Sequence, residues 1–218
     1  MNWKTIFMNI SIDSVTTYTW DNYGIIIPRD HVERLLWGEL VNLYREKWFD
    51  NVVVLNWPGG FTNLRVGTLC LNILNTLLKN QLTFYDISKI DLYKKSHEKW
   101  FLPKYWVVYI GHKRNIWLRD FEKNEKIWQY SFNELKDLDE MKNVENVFIE
   151  DVEDKEYYPE WVDEYLKYHT LLNWTDIYLI DDKVADWKWI SIDEFDLKPL
   201  KLIAPNYMME PSVTILGK

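Results

Sequence analysis

The chain has 218 residues, a hydrophobic content of 47%, a net charge of −8 and an isoelectric point near 5.1. A chain of this length buries about 70% of its unfolded surface, which is enough for one large domain or two small ones. The negative charge argues against stand-alone binding to nucleic acid, because phosphate recognition needs clustered Lys and Arg. Any contact with RNA is therefore expected to come through a partner.

The cysteine content and the first residues bear on the cellular compartment. The one cysteine, Cys70, falls within an apolar helix pattern, so neither a disulfide framework nor a thiolate metal cluster is expected. Residues 1–4 lack the charged-then-apolar layout of a signal peptide. No apolar run approaches the roughly 20 residues of a membrane span. These features favour a cytoplasmic protein that does not enter a membrane.

Hydrophobic periodicity and turn residues predict an order of elements that occurs twice along the chain. The first half is predicted to contain strands at 5–10, 14–20 and 23–27, a helix at 31–47, a strand at 51–55, a helix at 61–79, a strand at 82–85 and a helix at 88–97. After a joint at 101–103, the second half is predicted to contain strands at 104–110, 116–121 and 126–131, a helix at 133–140, a strand at 146–150, a helix at 159–169 and a strand at 176–180. The pattern predicts an α/β protein with two halves.

A glycine-bearing turn joins the strand at 51–55 to the helix at 61–79. The run reads Trp57-Pro58-Gly59-Gly60-Phe61-Thr62-Asn63-Leu64-Arg65-Val66-Gly67. It resembles the signature of the TsaB family, also called YeaZ, the smaller actin-like partner in the bacterial system that makes threonylcarbamoyladenosine in tRNA. Residues 28–36 and 205–209 resemble two further stretches of that family. In two places the chain departs from it, since Asn9-Ile10-Ser11 replaces an acidic strand end and residues 111–117 replace a second-half segment.

The resemblance implies a fold and a role. The fold is the actin-like ATPase fold, which is ribonuclease H-like, with two duplicated βββαβα subdomains at 1–100 and 101–218. The role is that of a non-catalytic scaffold, which pairs with a TsaD-like catalytic subunit, receives a TsaE-like ATPase and meets tRNA only indirectly. Members of this family also self-associate when alone, so a homodimer is expected in the absence of the partner.

Two helices are expected to bind the partner. The apolar arc of the helix at 61–79 is wider than the stripe of about 100° that an ordinary surface helix needs. The helix at 31–47 carries a second apolar stripe, at Trp37, Val41, Tyr44 and Trp48, which either contacts a partner or is buried against a neighbouring element of the same chain. On the resemblance, the predicted contact residues are His31, Glu33, Leu36, Trp37, Val41, Tyr44, Leu64, Arg65, Leu71, Leu74 and Leu78.

Catalytic motifs are few. The sequence contains no Walker loop, no Gly-x-Ser-x-Gly elbow and no paired histidines with metal-ligand spacing. Gly59 and Gly60 precede a helix and could bind a phosphate on free N–H groups, but a plain structural turn is the favoured explanation. We therefore expect no metal and no cofactor, apart from weak ATP or ADP binding at the complex interface. The alternatives are an ATP-binding actin-like enzyme, a glycoprotease-like peptidase and an interaction module outside the tRNA pathway.

The tryptophan content is unusual. The chain has 13 Trp and only 7 Gly, whereas average usage of about 7% predicts about twice as many glycines. Trp57 stands where the TsaB pattern has glycine, and Trp3 and Trp174 follow Asn, where glycine would complete a turn signal. Either these residues are ordinary tryptophans, or some are UGA codons that the source lineage reads as glycine.

Overall fold

The computed structural model describes twelve segments of the chain, which are residues 4–11, 14–19, 24–57, 61–99, 105–109, 115–120, 128–131, 147–150, 171–172, 179–180, 190–191 and 195–206. The first half contains β1 (Thr5–Asn9), β2 (Ser14–Thr19), β3 (Gly24–Pro28), α1 (Val32–Lys47), β4 (Asn51–Trp57), α2 (Phe61–Leu77), β5 (Thr83–Ser88) and α3 (Lys89–Glu98). The second half contains β6 (Tyr105–Tyr109), β7 (Asn115–Asp120), β8 (Trp128–Ser131), β9 (Val147–Glu150), β10 (Leu171–Leu172), β11 (Leu179–Ile180) and β12 (Ile190–Ser191).

The two halves contain sheets of the same topology. The first sheet has the order β3-β2-β1-β4-β5, with antiparallel pairs from β3 to β1 and parallel pairs from β1 to β5. The second has the order β8-β7-β6-β9-β10 with the same directions at every pair. A meander of three strands followed by parallel crossovers, present twice, is the α/β plan of the actin-like ATPase fold.

Most predicted elements within the described residues agree with the observed ones to within a few residues, and one predicted strand has a different place in the fold. The prediction ended the second copy with a strand at 176–180. In the structure, β10 at Leu171–Leu172 pairs with β9 and completes that sheet, whereas β11 pairs in parallel with β12 in a separate two-stranded sheet. The reason is that a short apolar run gives no information about which partner it pairs with. The predicted helices at 133–140 and 159–169 and the joint at 101–103 lie outside the described residues.

The core of the first half lies between its sheet and the helices α1 and α2. β4 is buried along 51–56, as expected for a parallel strand covered on both faces. Its alternate residues Val52 and Val54 face the α1–α2 layer. The other members of this core are Ile6, Met8, Ile10, Val15, Ile27, Val32, Leu36, Leu40, Leu43, Phe49, Leu64, Cys70, Leu71, Leu74, Leu82, Phe84 and Ile203.

Local sequence sets the ends of the helices. A 3-10 turn at Arg29–His31 precedes α1, so the helix begins one residue after the predicted His31. Ser88 is the N-cap of α3, because its Oγ accepts a hydrogen bond of 3.0 Å from the Asp91 N–H and donates one of 2.7 Å to the Asp91 carboxylate. This Ser-x-x-Asp arrangement satisfies an N–H group that the helix leaves without an internal partner.

Residues 195–206, the C-terminal strap, pack against the first half of the chain. Leu200 forms an antiparallel bridge with Phe84 of β5, with both backbone hydrogen bonds at 2.9 Å. Ile203 is buried in the core of the first half. The predicted boundary, which gave all of 101–218 to a second subdomain, therefore needs correction at the strap.

Candidate partner-binding surface

The second apolar stripe of α1 is half-buried in the structure. Trp37, Val41 and Tyr44 pack against the core of the first half, and Leu36 is fully buried in it. Leu36 therefore belongs to the core and has no surface to offer a partner, which corrects its prediction as a contact residue. Of this stripe only Trp48, which follows the helix, is largely exposed. Most of this stripe therefore packs α1 against the core of the same chain, which is the second of the two alternatives that the sequence left open.

On α2, the predicted and the exposed apolar residues are different. Leu64, Leu71 and Leu74 are buried in the core and Leu78 is half-buried against it, so the prediction of the first three as contact residues was wrong. The exposed apolar residues are instead Phe61, Leu69, Ile73 and Leu77. Periodicity showed that the apolar arc of α2 is wide, but it could not show which half of the arc faces the sheet.

Leu69, Ile73 and Leu77 form the α2 stripe, a row at every fourth position along one side of the helix. Their exposed fractions are 56%, 41% and 67%. The residues from 66 to 78 include no charged side chain, and Arg65 and Lys79 flank them. An uncharged apolar row bordered by charged residues has the composition of a protein–protein interface core with its rim.

The polar contact residues at the helix starts are accessible. Glu33 and Arg65 are exposed, and the Arg65 guanidinium lies 5.7 Å from the centroid of the Phe61 ring. His31 is half-buried, with its Nδ1 3.6 Å from the Asp30 carboxylate. These side chains border the surface but do not form a catalytic arrangement with one another.

Gly67 allows α2 to approach the sheet closely. A Cβ atom at this position would lie 2.5 Å from Cγ2 of Ile10, which follows β1 in the core. Real Cβ contacts are never that short, so any side chain at position 67 would force the helix or Ile10 to move. The last glycine of the TsaB-like run therefore has a packing role here.

Two asparagines of α2 connect the helix to the C-terminal strap. Asn72 exchanges two hydrogen bonds with the backbone of Ile203, of 2.8 and 2.9 Å. The Asn75 Nδ2 donates to the Lys201 carbonyl at 2.8 Å, and its Oδ1 accepts from the Leu82 N–H at 2.8 Å. Sequence reasoning missed this role of both residues. The side chains of the α2 stripe stay exposed although the strap is bound to the same helix.

Polar residues also collect where β1, β4 and β5 end. The Asn9 Oδ1 accepts hydrogen bonds from the Ser11 N–H and hydroxyl, at 2.8 and 2.6 Å. Among the described residues, the buried Nδ2 of Asn9 has no hydrogen-bond partner. Burial raises the pKa of Asp86, and the nearby charge of Asp91 raises this pKa further. The Asp86 carboxylate also accepts a hydrogen bond of 3.3 Å from Asn56, which lowers the pKa and offsets part of the shift.

This edge of the sheet carries no recognisable metal centre. In the part of the chain that the structure describes, no three His, Cys, Asp or Glu residues are grouped so that they could hold a metal ion. Gly59 and Gly60, the predicted phosphate turn, lie outside the described residues, as does Asp13. The arrangement at Asn9 is a polar strand end with one buried N–H group that has no partner among the described residues.

Comparisons with known proteins found similarity only among solved structures. No family model and no curated protein matches the chain. Among solved structures, it is similar to YeaZ from Pseudomonas aeruginosa, with 12% identity, a TM-score of 0.45, and coverage of 67% of this chain and 75% of that one.

Two further solved structures are similar to the chain at comparably low identity. One, with similarity to peptidase YEAZ from Pseudomonas aeruginosa, has 14% identity and a TM-score of 0.45 over 68% of this chain and 75% of that one. The other, a Bacteroides thetaiotaomicron protein of unknown function with an actin-like ATPase fold, has 11% identity and a TM-score of 0.39 over 78% and 91%. Similarities of this size say nothing about activity, and the fold assignment depends on the duplicated strand order.

The described helices are also informative about membranes. None of them combines the length and the hydropathy that crossing a bilayer requires.

Proposed function

We propose that this chain is a TsaB-like scaffold in tRNA threonylcarbamoylation. In this role it pairs with a TsaD-like catalytic subunit through α1 and α2, and it has no catalytic activity of its own. The proposal is supported by the TsaB-like run at 57–67, by the duplicated actin-like plan of the chain and by the exposed surface of α2.

The α2 stripe is the observation that carries the proposal. Three large aliphatic side chains in one row expose much of their surface, although the helix could have placed polar residues there at no cost to the core. Each such side chain gains about 1.5 to 3 kcal/mol when it is fully buried. A partner that lays its own helices along α2 would gain the part of this stabilisation that corresponds to the exposed surface, and no charged side chain between 66 and 78 would have to lose its water.

The charge of the chain fits an accessory role. At a net charge of −8, the chain would repel the tRNA backbone if it acted alone. We infer that tRNA binding and group transfer take place on the TsaD-like subunit, and that a TsaE-like ATPase acts on the pair. Nucleotide binding by this chain, if it occurs at the complex interface, is expected to be weak.

A matched pair of variants tests the surface. The double substitution of Leu69→Ser with Ile73→Ser removes apolar contact at the proposed interface, and Ile26→Ser changes an exposed residue of β3, away from α2. Because these side chains are exposed, all variants should fold. Affinity for the TsaD-like protein of the same genome should fall at least about tenfold for the double variant and stay unchanged for the control. Equal affinities in calorimetric titrations would contradict the proposed surface.

Reconstitution tests the role. Purified TsaD-like and TsaE-like proteins, with tRNA, ATP and the threonylcarbamoyl donor, should form modified tRNA only when this chain is added. Equal product with and without the chain would refute the scaffold role. Steady ATP turnover or peptide cleavage by the isolated chain would favour the enzyme alternatives. Binding to a different partner, with none to the TsaD-like protein, would favour an interaction module outside the pathway.

A further inference from the structure

Trp48 has a backbone conformation that normally belongs to glycine. It directly follows α1 with φ of 51° and ψ of 67°, in the left-handed region, and its N–H donates a hydrogen bond of 2.9 Å to the Tyr44 carbonyl. Many helices end on a residue in this conformation, which is usually glycine because a Cβ atom is penalised there. The indole of Trp48 is 66% exposed, so core burial does not compensate for the strain.

Two other described residues that are not glycine also have positive φ, namely Lys79 and Asn80. Asparagine tolerates this region well, but bulky residues rarely adopt it. Positive φ alone therefore does not exclude a side chain at position 48. Two independent features of the chain also point to glycine.

Trp57 provides one of them. It is the last residue of β4, and the register with β5 shifts between Leu55 and Trp57. The sequence then continues with Pro58-Gly59-Gly60. Trp57 does not have a positive φ, but a register irregularity at a strand end is a position where glycine is common.

Composition provides the second. Average usage predicts about 15 glycines in a chain of this length, whereas the chain has 7, beside 13 tryptophans. Different genetic codes read the UGA codon as stop, tryptophan or glycine. A gene whose cell reads UGA as glycine would gain tryptophans and lose glycines when it is translated with the tryptophan code.

We propose that positions 48 and 57 are glycine in the protein that the source cell makes, and that UGA codons in the gene specify them. The end of α1 then has an unstrained left-handed glycine. The sequence after Asn56 then reads Gly-Pro-Gly-Gly, and a glycine at position 57 lets another group approach the backbone more closely than a tryptophan does. The exposed indole at position 48 disappears, which leaves the α2 stripe as the main apolar surface. This inference does not depend on the proposed partner.

One tryptic peptide of the native protein tests both positions. Cleavage after Lys47 and Arg65 releases residues 48–65, which contain Trp48 and Trp57 and no other tryptophan. In protein isolated from the source cell, the expected mass is lower than that of the printed sequence by two indole-methylene groups. The peptide 35–45 serves as control, because Trp37 is helical and packs against the core and should be retained. Tryptophan at position 48 or 57, or UGG at either codon, would overturn the proposal.

A variant pair tests the geometric argument on recombinant protein with the printed sequence. Trp48→Gly and Trp48→Ala both remove the indole and its contact with Tyr44, whose ring centroid lies 5.9 Å away. They differ in their tolerance of left-handed backbone. The folding equilibrium constant of Trp48→Gly should exceed that of Trp48→Ala about fivefold or more in urea unfolding. Equal or lower stability of Trp48→Gly would remove the structural basis of the assignment.

Discussion

Asn75 offers the sharpest test of how the C-terminal strap is held. Its side chain is fully buried, with 0% exposure, and makes two hydrogen bonds of 2.8 Å, to the Lys201 carbonyl and from the Leu82 N–H. Asn75→Ala removes both. The Leu82 N–H then stays buried without a partner, at a cost of about 1 to 3 kcal/mol, and the lost bond to Lys201 adds about 1 kcal/mol. We expect the free energy of unfolding to fall by about 3 kcal/mol.

Asn72→Ala is the matched control. Asn72 also makes two hydrogen bonds to the strap, both with Ile203, but it is only half-buried. Water can replace a lost partner there, so we expect a smaller loss of about 1 kcal/mol.

Urea unfolding, followed by circular dichroism, gives both free energies when the slope with denaturant is unchanged. Limited proteolysis should also cut the strap faster in Asn75→Ala than in the parent. If Asn75→Ala lost no more stability than Asn72→Ala, burial would not control the cost of losing these hydrogen bonds and the reasoning would be refuted.

Three further predictions concern packing, pH and capping. Gly67→Ala should destabilise the chain by about 1 to 2 kcal/mol in urea unfolding, because overpacking against Ile10 outweighs the better helix propensity of alanine; unchanged stability would contradict the close contact. Asp86 has a raised pKa in the folded state, so its stabilising contribution is complete below its ordinary pKa of 3.8 and is lost as pH rises through the raised pKa. Urea unfolding midpoints measured from acid to neutral pH should therefore fall less in Asp86→Asn than in the parent. Identical pH profiles of the two proteins would refute the prediction. Ser88→Ala removes the hydrogen bond from Asp91 and should cost about 1 kcal/mol of unfolding free energy, whereas no loss would show that the cap is dispensable.

The sequence by itself determined the order and type of the described elements in the first half. β4 could be recognised because a run of buried apolar residues between turn signals has few other solutions. The start of α3 followed from Ser88, whose side chain satisfies a free backbone group within the same turn. Local chemistry sets these features, so a local reading could find them. The duplication was visible for the same reason.

Only the tertiary structure decided which apolar residues reach solvent. Leu71 and Ile73 both belong to the apolar arc of α2. Leu71 is buried and Ile73 is exposed, because the sheet covers one half of the arc. The hydrogen bond from Asn75 to the strap and the close approach of Gly67 to Ile10 each join two residues that are far apart in the sequence. These contacts contribute to stability only once the distant segments have come together, so a local sequence pattern cannot predict them.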